Sequence, residues 1–162
     1  MKVFVVEITW SIDFDFGSTV KAFSNYESAK AELEREFAQS KIDLEHHDIV
    51  VERSDNIFSV YEDGCYSENH IDGEIIETEV LDWGGKEMKV WVVTHCAAED
   101  NATPFVADSE EKAKSIMTEM YQNIVDDFGD SIFSNEIWDT RAEIIFTDDT
   151  YDIFDIFECE VE

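Results

Sequence analysis

Apolar and polar residues alternate along several stretches of this chain and step by threes and fours along two others. Val3 to Trp10 alternates and predicts a strand; after a loop containing Asp13, Asp15 and Gly17, Thr19 to Phe23 predicts a second strand that closes a hairpin. A helix is expected next, because Ala29, Leu33, Phe37 and Leu44 recur at helical spacing. Ser24 with Glu27, and Asp108 with Glu111, read as capping boxes for two helices. The second helix carries the wider stripe, Ala113, Ile116, Met117, Met120, Tyr121, Ile124, Val125 and Phe128, so the first is expected to be the more exposed. Strand patterns follow each helix: Ile57 to Glu62, a turn at Asp63-Gly64, then residues reaching Val80; and Trp138 to Phe146, a turn at Asp148-Asp149-Thr150, then Tyr151 to Val161.

These two sets of elements are one pattern used twice. Met1-Lys2-Val3-Phe4-Val5-Val6 returns as Met88-Lys89-Val90-Trp91-Val92-Val93, and the segments beginning at Ser24 and Ile75 return at Asp108 and Ile156. The offsets fall from 87 to 84 to 81, so the second copy lacks a few residues between matched blocks, where loops tolerate loss. The expected fold is α+β: two tandem ββαββ modules, each an antiparallel sheet with one helix on a face. Residues 1–82 form the first repeat, 83–87 a Gly-Gly-containing linker, and 88–162 the second.

The chain has 40 acids against 11 bases, a net charge of -29 on 162 residues. Residues 1–82 hold 20 acids and 6 bases and residues 83–162 hold 20 and 5, so the copies are equally acidic. With 44% hydrophobic and 13% aromatic residues the chain can build a core, unlike disordered acidic segments. Charge of this size speaks to partners rather than to fold. Glu77 and Glu79, and Glu158 and Glu160, fall at alternate positions of matched final strands and are expected to form rows of carboxylates. With Asp13, Asp15, Asp148 and Asp149 they make up the candidate partner-binding set, and Phe14 and Phe16 could add apolar contacts.

The first residues show no signal-peptide pattern and no stretch approaches membrane-spanning length, so a cytoplasmic protein without membrane attachment is expected. Cys65, Cys96 and Cys159 are odd in number and lack CxxC spacing, which favours reduced thiols. No nucleophile elbow, phosphate-binding loop or HExxH motif occurs. His46-His47-Asp48, His70 with Asp72, and His95-Cys96 do not have zinc-finger spacing, and the acidic runs lack the glycine and glutamate positions of an EF-hand. No cofactor or metal is expected, and the expected class is not an enzyme.

A compact chain of this length is ~40 Å across, and duplex DNA presents ~24 charges over that span. In size, acidity and lack of catalytic motifs the chain resembles the DNA-mimic inhibitors of phages and mobile elements, such as anti-CRISPR and anti-restriction proteins. That resemblance implies a partner with a basic nucleic-acid-binding surface, a nuclease effector, and no direct contact with nucleic acid. The alternative is a protein-interaction module without nucleic-acid mimicry, such as an immunity protein for a basic toxin. The sequence does not set the oligomeric state.

Overall fold

The alternation at the start of the chain becomes β1, Lys2–Ile12, in a computed structural model that describes residues 2–13, 15–64, 69–79, 89–97, 101–148 and 150–161. Phe4, Val6, Ile8, Trp10 and Ile12 all reach one apolar core. Val3 and Val5 on the other face are also fully buried, which accounts for the unbroken apolar run at their end of the strand. A turn leads to β2, Asp15–Phe23, paired antiparallel with β1. The predicted hairpin is therefore present but its loop is shorter: Asp15 and Gly17 belong to β2. The Trp10 ring lies over Gly17, where an added Cβ would meet it at 2.8 Å.

Helix α1, Tyr26–Asp43, crosses from β2 to β3, Ile49–Arg53, and the chain returns through β4, Ile57–Glu62, and β5, His70–Glu79. The sheet order is β2-β1-β5-β4-β3, antiparallel throughout. Leu33 and Leu44 dock α1 on this sheet with Ala29, and Phe37 packs on Phe58 at 5.4 Å between ring centroids. Burying a leucine stabilises by about 1.5–3 kcal/mol, which adds to the favourable propensities of a segment rich in Ala, Glu, Leu, Lys and Arg.

The second unit repeats the plan with β6 (Lys89–Ala97), β7 (Asn101–Ala107), α2 (Glu110–Phe128), β8 (Ile132–Ile137), β9 (Arg141–Phe146) and β10 (Tyr151–Glu160). Its order is β7-β6-β10-β9-β8, also antiparallel. The chain divides into compact units Met1–Glu79 with Val161–Glu162, and Val80–Glu160. The expected α+β class with one helix per antiparallel sheet is what the structure has. A short strand after each helix, β3 or β8, adds a fifth member at the sheet edge. The linker 83–87 lies outside the described residues.

Three local expectations are corrected. The helix N-caps are Asn25, accepting from the Ser28 N–H at 2.9 Å, and Ser109, accepting from the Lys112 N–H at 3.3 Å. Each cap falls one residue after the capping-box serine or aspartate; Asp108 instead pairs with Lys112 across one helical turn. The first helix is not the more exposed, since each helix buries three side chains. Glu32 and Glu36, only 14% and 19% exposed, both pair with Arg35, and Glu32 also pairs with Lys21 of β2. Finally, Trp138 precedes β9: its N–H closes the β8–β9 turn on the Arg141 carbonyl at 2.7 Å.

Candidate partner-binding surface

Pairing of Lys2 with Glu79 and of Ser11 with His70 puts the candidate acids of the first unit at opposite ends of its central strands. Asp13 stands in the β1–β2 turn at φ 50°, its backbone N–H donating to Asn69 Oδ1 at 3.0 Å, and Asp15 opens β2, exposed. Aspartate tolerates this left-handed backbone better than most residues. Glu77 and Glu79 lie about 33 Å away along the strands. In the second unit Asp148 sits in the β9–β10 turn, accepting from the Thr150 hydroxyl at 2.6 Å and N–H at 3.2 Å, which holds its carboxyl below the usual range. Glu158 and Glu160 end β10. Asp149, Phe14 and Cys65 lie outside the described residues. Each unit thus splits its candidate acids between a turn end and a strand end.

Alternation does put Glu77 with Glu79, and Glu158 with Glu160, on one face. Registers identify it as the helix side, since Glu77 opposes Phe4 and Glu158 opposes Trp91. The rows are partly neutralised: Lys2 pairs with Glu77 and Lys89 with Glu158, the same cross-strand diagonal in both units. Of the ten described lysines and arginines, nine make such pairs with carboxylates. The tenth, Lys41, lies over the Phe37 ring at 4.2 Å. Arg35 and Lys21 together hold the Glu32 carboxyl down at about 2.

The remaining acids include several placed against local stability. Asp126 and Asp127 occupy the last turn of α2, which has no basic residue, so they oppose the helix dipole. Glu136 and Glu143 stand directly opposite across β8 and β9, an unfavourable like-charge pair. Glu7, only 4% exposed, faces Glu74 across β1 and β5, and its Oε1 has no hydrogen-bond partner among the described residues. Burial, with a smaller contribution from Glu74, raises its pKa to about 8, so Glu7 is a neutral acid at pH 7. The signal for Glu7 was in the sequence: it shares a strand face with Val3 and Val5. Nothing comparable marked Glu136 with Glu143, which meet only through the β8–β9 register.

The histidines answer to neighbours within each unit. His95 stacks on Phe154 at 4.4 Å and contacts Asp152 at 2.9 Å, while His47 lies 3.0 Å from Glu62. Among the described residues no three His, Cys, Asp or Glu side chains are grouped to hold a metal ion. Cys96 and Cys159 are buried thiols, and burial lifts Cys159 to about 11. No described helix is long and apolar enough to cross a membrane. No protein-family model, curated protein or solved structure matches this chain.

Proposed function

We propose that this chain is a folded polyanion that acts without catalysis, by occupying the cationic nucleic-acid-binding surface of another protein such as a defence nuclease. The observation that carries this reading is the disposition of charge: nearly every described base is consumed by an acid of its own unit, leaving the large acidic excess to face outward. Acids at the α2 C-terminus and across β8 and β9 lower local stability, which solubility alone does not require. A rigid sheet holding carboxylates at strand spacing competes for a phosphate-binding channel through the electrostatic attraction that dominates nucleic-acid affinity.

The test is recovery of partners by the tagged protein at about 50 mM salt, identified by mass spectrometry. Nucleic-acid-binding proteins should be retained, released steeply as salt rises to about 200 mM, and displaced by excess DNA. Reversing Glu79 and Glu160 together should weaken retention without unfolding the protein, since their neighbours Glu77 and Glu158 are the ones held by lysines. Recovery only of partners that lack a nucleic-acid-binding surface would replace this reading with that of an immunity-type module.

A further inference from the structure

Two sheets leave four edges, and three of them are guarded. β3 is only five residues long and ends on Arg53, which is paired with Glu34 and stacked over Phe37 at 4.4 Å. β7 contains Pro104, which cannot donate to a ladder, and β2 carries the exposed Lys21, a charge that discourages strand pairing. β8, Ile-Phe-Ser-Asn-Glu-Ile, has no lysine, arginine or proline.

Its outer side is ready for a strand. The Trp138 N–H bonds to β9, so by antiparallel alternation Glu136 and Ser134 also bond inward, while Asn135 and Ile137 direct N–H and C=O away from the sheet. A bulge at Phe133 leaves that ring 76% exposed, and Ile137 and Trp138 are 44% and 48% exposed. Beside the edge lies a hollow of about 210 Å³ lined by Ser134, Asn135, Glu136, Trp138, Glu143 and Ile145. Its two carboxylates stand opposite each other, and Arg141 lies 4.0 Å from Glu143 while it also engages Asp155 at 3.4 Å. Glu136 and Glu143 with an indole wall are the chemistry that receives an alkylammonium or guanidinium.

We infer that the open edge of β8 docks an extended, basic segment of the partner by strand addition, with one lysine or arginine of that segment entering the hollow between Glu136 and Glu143. This rests on the reading that the partner is cationic and names the contact it makes. Charge selects the occupant: a second copy of this chain would bring another net -29 to the same edge. Strand addition supplies main-chain hydrogen bonds for affinity and a side-chain pocket for specificity.

The probe is a synthetic eight-residue peptide alternating valine and arginine, titrated into isotopically labelled protein at about 50 mM salt and followed by amide exchange. The Asn135 and Ile137 amides should gain protection and the Trp138 indole resonance should shift. Ile137→Pro removes an outward donor without touching the bonds to β9, and should weaken binding about tenfold or more. Glu136→Gln with Glu143→Gln should do the same, and a peptide with glutamine for arginine should not bind. Should Ile137→Pro fail to fold, the peptide methylated on alternate backbone nitrogens makes the same test on the unaltered protein. No binding, or binding elsewhere that Ile137→Pro leaves unchanged, overturns the docking edge, while the cationic-partner reading stands or falls by the pull-down. Concentration-dependent protection of these amides without peptide makes a second copy the occupant, which also overturns it.

Discussion

Glu7, Glu74 and Ile57 form a row across β1, β5 and β4; Thr94, Asp155 and Arg141 form the matching row across β6, β10 and β9. In the first unit two carboxyls oppose each other beside an apolar residue, and burial forces Glu7 to stay protonated. In the second, threonine replaces the buried acid and Arg141 lies 3.4 Å from the remaining aspartate, counteracting the rise that burial imposes on it. A second pair differs in the same local way. Phe58 faces Gly73 in the first unit, whereas Ala142 faces Phe154 in the second. A Cβ on Gly73 would fall 2.4 Å from the Phe58 ring and 2.8 Å from Ile8, so the glycine makes room for a ring that its counterpart supplies from the other strand. Register is thus common to both units along these rows, while volume and charge are balanced within each row.

The volume swap gives the largest expected effect. Phe58→Ala should cost about 3–5 kcal/mol, and Gly73→Phe alone should overpack the same site by about 1–3 kcal/mol or more. Together they install the arrangement of the second unit, and a double-mutant cycle in urea should show strong favourable coupling. Strictly additive losses would mean the two pairs are not equivalent.

The charged rows give the next effect, and its sign follows from the direction of the Glu7 shift. A carboxyl whose folded pKa is raised from 4.5 to about 8 favours the folded state fully below pH 4.5, and that contribution is lost as pH climbs to about 8. Glu7→Gln should therefore flatten the fall in Tm between pH 5 and about pH 8.5. Repulsion among the remaining acids acts on both proteins alike, so the difference between them isolates Glu7. Parallel curves would show that Glu7 ionises normally. Ile57→Arg, which imports the partner found at Arg141, should raise Tm slightly and reduce the slope contributed by Glu74, whose pKa burial also raises.

Removing the repeated surface pairs should matter least. Lys2→Ala and Lys89→Ala should change the unfolding midpoint little at about 0.15 M salt and not at all at about 1 M, because both ion pairs are exposed. A large loss from one substitution only would break the symmetry of the two units.

Alternation, helical spacing and the repeat made the element types legible, and the offsets of 87, 84 and 81 are those of the aligned strands and helices. Two of the edge strands were not legible: β3 ends in charged residues and β8 mixes Ser, Asn and Glu among its apolar positions, so neither shows a clean period of two. The cap position slipped because a pair of cap-forming residues precedes each helix, and only hydrogen-bond geometry distinguishes them. Among the candidate acids, face-sharing followed from spacing alone. Their separation to opposite strand ends and the capture of Glu77 and Glu158 by lysines needed the register.

The duplicated α+β plan and the even division of acid between its halves are readable along the chain, because periodicity and composition are properties of sequence neighbours. Which carboxyl is buried, which are already paired and which edge stands open are set by the packing of the strands. Those outcomes depend on residues far apart in sequence becoming neighbours on adjacent strands, where burial and distance fix the balance between desolvation and Coulomb attraction.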